Sequence, residues 1–134
     1  GSTGLAGVLT AVALAGAGEP APERRPTADD GIPMPGGCFL MSPWVDLACG
    51  RKSLVGNLRW DYIPLDLYNM FRDVTAGGLA LADPFVSPLH GELGGLPEML
   101  VQVGEVEALR DQVAEFAHRL TQAGTPTQLG VWRD

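Results

Sequence analysis

Leu109, Val113, Phe116 and Leu120 recur at spacings of four, three and four residues. That is the apolar stripe of an amphipathic helix, and it predicts one ending at Gly124, where glycine supplies a stop. Glu115 and Arg119 add a favourable i,i+4 pair to its polar side. Two short apolar runs flank this helix, Met99–Val103 and Thr127–Trp132, and both read as strands. A third, Cys38–Met41, lies between glycines and Ser42-Pro43-Trp44; its length favours a buried strand over a helix. Residues 64–76 predict a helix that opens on Pro64, which is tolerated in a first turn, and closes at Gly77-Gly78. The rest of 45–98 reads as irregular. Residues 3–16 are rich in Ala and Leu without proline, a helix that is apolar nearly all round and wants cover on several sides. Residues 17–36 carry Pro20, Pro22, Pro26, Pro33 and Pro35 among charges, and read as an exposed, extended connection.

The order is therefore helix, strand, helical excursion, strand, helix, strand. Strands separated by helices need right-handed crossovers and pair in parallel, so the fold class is α/β. Three parallel strands make a thin sheet, and such sheets are normally covered on both faces. The expectation is three parallel strands with flanking helices that form part of a larger sheet. No internal repeat is present.

Composition narrows the function classes. The 134 residues are 46% hydrophobic and 19% charged, with a net charge of −7. That is a globular balance, enough for one domain with a small core. Acids outnumber bases and the arginines are scattered, which argues against a nucleic-acid partner. The two cysteines, Cys38 and Cys49, are too few for a secreted disulfide scaffold and lack zinc or redox spacing, so both are expected reduced and the compartment cytoplasmic. The apolar run Leu5–Gly16 has the length of a signal-peptide core, but no Lys or Arg precedes it. It also falls short of the roughly 20 residues that cross a bilayer, so no stable membrane span is expected.

Six blocks then give the chain a family likeness. They are Ser42-Pro43-Trp44-Val45-Asp46-Leu47; Asn57 with Asp61; Asp83 through Leu89 (DPFVSPL); Gly95-Leu96-Pro97; Val101 through Asp111 (VQVGEVEALRD); and Gly130 through Asp134 (GVWRD). In this order the chain resembles the hormone-sensitive-lipase branch of the α/β-hydrolases, a family of carboxylesterases and lipases, over residues 31–134. The resemblance implies a partial α/β-hydrolase fold, an incomplete domain over 1–134 with the connection at 17–36. The family's earlier strands and its HGGG oxyanion loop would precede residue 1. Its catalytic His would follow Asp134. On this view the chain is a fragment, a split subunit or a truncated product, and its partner is the remainder of the hydrolase fold, in this chain's continuation or in another chain.

A serine esterase needs a nucleophilic Ser, a His to activate it, an acid to orient the His, and donors for the oxyanion. The resemblance implies two such residues. Ser2, in Gly1-Ser2-Thr3-Gly4, matches half of a G-x-S-x-G elbow and stands before the helix expected there. A cloning remnant explains the same Gly-Ser equally well. Glu107 occupies the family position of the triad acid, two residues before Leu109. By chemistry alone, Glu105 and Glu107 would both serve as acids at a helix start. Asp111 reads as a capping or supporting residue, His90 as a surface loop residue and His118 as a mid-helix residue beside the stripe. Trp44 and Asp46 read as structural, the Asp bonding nearby backbone in a turn. Tyr62, Leu65, Leu67, Tyr68, Met70 and Phe71 are core residues, some of which can border a substrate pocket. No cofactor and no metal are implied. The substrate class is a small ester hydrolysed through Ser, His and acid. A ligand-binding module of the same fold without catalysis is the alternative, and a degenerate product without function a third.

Overall fold

A computed structural model describes residues 36–133 apart from Cys49 and Tyr62. Ser2, the helix expected over 3–16, most of the connection at 17–36, Tyr62 and Asp134 lie outside the described residues.

Three strands form: β1 (Gly37–Met41), β2 (Glu98–Gly104) and β3 (Thr127–Trp132). They pair in parallel in the order β1-β2-β3, with Leu40 opposite Val101 and Val101 opposite Leu129. The expected parallel order holds. Three α-helices accompany them: α1 (Lys52–Asn57), α2 (Leu65–Ala76) and α3 (Arg110–Gln122).

The stripe read from the sequence is what α3 buries: Val113, Phe116 and Leu120 are at most 1% exposed, against Met99, Val101 and Val103 of β2. Each such side chain contributes on the order of 1.5–3 kcal/mol by leaving water. Gly124, at φ 82°, ends α3 as expected. The Gly124 N–H donates to Thr121 O and the Thr125 N–H to Leu120 O, which uses up carbonyls the helix leaves open. At the start of α2, Pro64 is extended and caps the helix instead of lying in its first turn, and Gly77 closes the other end at φ 54°.

Leu65 and Met70 of α2, expected in the core, are exposed. Two larger features also depart from the sequence reading. The stretch 45–98 contains α1 and a short 3-10 turn at Pro88–His90 that were expected to be irregular. Helix α1 has six residues, too few for a hydrophobic period to register. The other departure concerns the strands, expected to be buried. In β2 every second residue is covered by α3, while the opposite face, with Phe39, Met41 and Leu100, lies open among the described residues. The sheet is a partial one. Among the described residues no helix is long and apolar enough to cross a membrane. Cys38 is a free thiol in β1, its pKa pushed up by burial, which disfavours the reactive thiolate.

Candidate active site

In parallel α/β sheets, ligands bind beyond the carboxyl ends of the strands. Here β1 leaves the sheet at Met41 and turns sharply at Ser42. Strand β2 leaves at Gly104 and reaches α3 through residues 105–109. Glu107 lies in that second connection, held by a turn in which its N–H donates to Gly104 O at 3.2 Å.

The Glu107 side chain folds back over the strand end. Its Oε1 accepts the Gly104 N–H at 2.7 Å and the Ser42 hydroxyl at 2.8 Å. The second carboxylate oxygen has no hydrogen bond among the described residues. Gly104 makes the fold-back possible, since a Cβ there would stand 2.9 Å from Oε1 and 3.2 Å from Cγ of Glu107. The backbone of this connection is tied down as well. Asn57 donates its side-chain amide to Glu107 O at 3.0 Å. The Asp61 Oδ2 accepts both the Ala108 N–H and the Tyr68 hydroxyl at 3.1 Å. Asn57 and Asp61 thus clamp the loop that carries Glu107. Their four-residue spacing was legible in the sequence, but nothing there told what they hold.

A second cluster supports the loop after β1. Gln112, buried in α3, accepts the Val45 and Asp46 N–H groups at 2.9 and 2.8 Å. The Trp44 indole donates to Asp46 O, and its ring meets Tyr68 edge to face with centroids 5.2 Å apart. Asp46 accepts the Ala48 N–H at 3.1 Å, the turn bond expected of it. It also pairs with His90 Nε2 at 3.2 Å and lies 3.8 Å from Arg51. Ser87 takes the Leu47 N–H at 2.7 Å, so the SPWVDL and DPFVSPL blocks fasten to each other.

The two histidines fall where the sequence left them. His90 is a surface residue with Asp46 as its partner. His118 is exposed in the middle of α3. Asp111 supports structure: its carboxylate accepts the Ser53 N–H at 2.9 Å and the Arg110 guanidinium at 2.8 Å. Burial alone would raise its pKa, but the Arg110 and Ser53 bonds outweigh it and hold the carboxyl below its ordinary value. Among the described residues no group of three or more His, Cys, Asp or Glu is placed to hold a metal ion.

Beyond the strand ends opens a cleft of about 440 Å³, bordered by Met41, Ser42, Trp60, Tyr68, Glu107 and Trp132. Its volume falls within the range of small-molecule sites. Largely apolar walls with the Glu107 and Asp61 carboxylates among them suit a small, largely apolar substrate and a partner for a proton-carrying group.

A family described as having the alpha/beta hydrolase fold matches this chain over residues 7–134. An acetyl-hydrolase of Streptomyces hygroscopicus is 35% identical over 120 residues, which are 88% of this chain and 40% of that protein. An esterase of Acinetobacter venetianus is 34% identical over 108 residues, 75% of this chain and 35% of that protein. Among solved structures, a hormone-sensitive lipase from a metagenome library superposes with a TM-score of 0.84 at 32% identity, covering 98% of this chain and 41% of that one. An esterase from the bacterial hormone-sensitive lipase family gives 0.77 at 30% identity, covering 95% and 39%. The chain thus spans about two fifths of the length of these relatives.

Proposed function

The chain belongs to the α/β-hydrolase fold family, among esterases and lipases of the hormone-sensitive-lipase type, and from that premise we propose that it forms part of a serine carboxylester hydrolase in which Glu107 is the acid of the triad. One observation carries this reading. The Glu107 carboxylate is anchored through a single oxygen at the carboxyl end of β2, which leaves the other oxygen to accept an imidazole N–H from the cleft.

In this role Glu107 fixes the tautomer and orientation of a histidine and stabilises the imidazolium as it forms. The histidine takes the proton from a serine hydroxyl while the serine oxygen bonds to the ester carbonyl carbon. The same proton then leaves with the alcohol, and water repeats the sequence to free the acid. We assign the base to a histidine outside these 134 residues, because His90 is engaged by Asp46 and His118 stands exposed on α3. Ser2 is the proposed nucleophile, because Gly1-Ser2-Thr3-Gly4 keeps the S-x-G half of a nucleophile elbow. The substrate is a small ester whose apolar portion lies along Trp60 and Tyr68.

The test uses the intact protein and a short-chain acyl ester. Glu107→Ala is expected to lower kcat by about 10³- to 10⁴-fold, the usual cost of losing a triad acid. Unchanged kcat would remove Glu107 from the triad. Labelling by a fluorophosphonate at Ser2 is expected, and labelling at another serine would displace Ser2.

A further inference from the structure

Ser42 is the one non-glycine residue with positive φ among the described residues, at 47°. Pro43 follows it, and a residue before proline is normally pushed towards extended backbone. Holding an L-residue in this region costs on the order of 1–3 kcal/mol, and it persists only where surrounding structure enforces it. Two bonds do so here. The Ser42 N–H continues the sheet ladder to Gln102 O at 2.8 Å, and the hydroxyl reaches Glu107 Oε1 at 2.8 Å. The hydroxyl spans 65 positions of sequence to make that contact, and its residue is only 5% exposed.

We infer that Ser42 is a positioning residue: its hydroxyl holds the Glu107 carboxylate in the rotation that turns Oε2 towards the catalytic imidazole. The inference rests on the triad role proposed above for Glu107. A carboxylate at the end of a two-carbon stem rotates easily, and the Gly104 N–H alone restrains Oε1 as a pivot. A second donor, arriving from a different strand, removes that freedom. Orientation of this kind acts on the rate of the chemical step more than on substrate binding.

The experiment compares Ser42→Ala and Ser42→Gly with the unaltered intact protein, alone and in a Glu107→Ala background. Glycine removes the hydroxyl and also relieves the left-handed backbone, so that variant keeps its fold. Both single variants are expected to lose about tenfold in kcat, the effect of one hydrogen bond to a charged group, with KM changed by less than about twofold. In the Glu107→Ala background neither substitution is expected to lower kcat further, because the hydroxyl acts only through that carboxylate. Full activity of Ser42→Gly beside an inactive Glu107→Ala would overturn the role of Ser42 and leave the triad reading standing. Losses that multiply in the double variant would make Ser42 a general structural residue. An active Glu107→Ala would sink both.

Discussion

At the scale of single residues, the site is decided by what surrounds one carboxylate. Gly104 gives the cleanest case, because its backbone is not in the left-handed region and alanine is therefore free of backbone strain there. The only obstacle is the Glu107 side chain, 2.9 Å from the position of the added carbon. Gly104→Ala is accordingly expected to leave the melting temperature within a few degrees while lowering kcat by at least about tenfold, since the carboxylate must swing off both its donors. Circular dichroism melts and steady-state kinetics on one preparation check this. A variant with normal kcat would mean that the fold-back of Glu107 is dispensable. The sequence singled out Glu107 only by a family position two residues before Leu109, since by chemistry alone Glu105 would serve as well. Its holders were not legible there. The bond to Ser42 joins the ends of two strands, and neither periodicity nor local propensity encodes a contact between residues so far apart. Asn57 and Asp61 were visible as a spaced pair, yet their purpose depends on the loop after β2 coming to lie beside them.

At the scale of elements, α3 was written plainly in the sequence because its stripe faces one sheet surface over its whole length. Helix α1 was not, since its six residues carry no period and owe their order to neighbours. Ser53 donates its hydroxyl to Ala108 O at 2.8 Å and accepts the Asp111 N–H at 3.0 Å, while the Asp111 carboxylate takes the Ser53 N–H. The starts of α1 and α3 are thereby stapled together, with Asn57 at the far end of α1 holding the Glu107 loop. Asp111→Ala is expected to cost about 1 kcal/mol in unfolding free energy at neutral pH by removing these bonds. The pH dependence follows from its lowered pKa. A carboxyl whose pKa is depressed in the folded state adds stability above its unfolded pKa and loses it as pH falls through the folded value. Urea titrations should thus show the gap between the two proteins holding steady above about pH 5 and narrowing as pH falls through and below the ordinary carboxylate range. A gap of constant size would mean that Asp111 contributes through packing alone.

At the scale of the molecule, α3 covers one face of β2, while the face with Phe39, Met41 and Leu100 lies open among the described residues. The α/β class and the parallel pairing were legible because the sequence alternates strands with helices. The bareness of one face was not, because Leu100 and Phe39 look like any buried strand residue until the register sets them opposite each other and away from α3. Phe39 is 52% and Leu100 39% exposed, and Met41 continues the same row. Parallel sheets of this kind are covered on both faces in complete α/β domains, and patches of contiguous apolar surface mark places where further protein packs. The 134-residue chain expressed alone is therefore expected to self-associate and to bind a hydrophobic dye, measured by light scattering and dye fluorescence. Phe39→Ser combined with Leu100→Gln should reduce both signals in the isolated chain, because the substitutions remove apolar surface that no described element covers. In a complete hydrolase domain, where that face meets other elements, the same pair should instead lower stability by about 2–5 kcal/mol through lost burial and unsatisfied polar groups. The opposite signs separate a partial sheet from a self-sufficient one. A monomeric, dye-silent isolated chain would show that three strands and one layer of helices are enough.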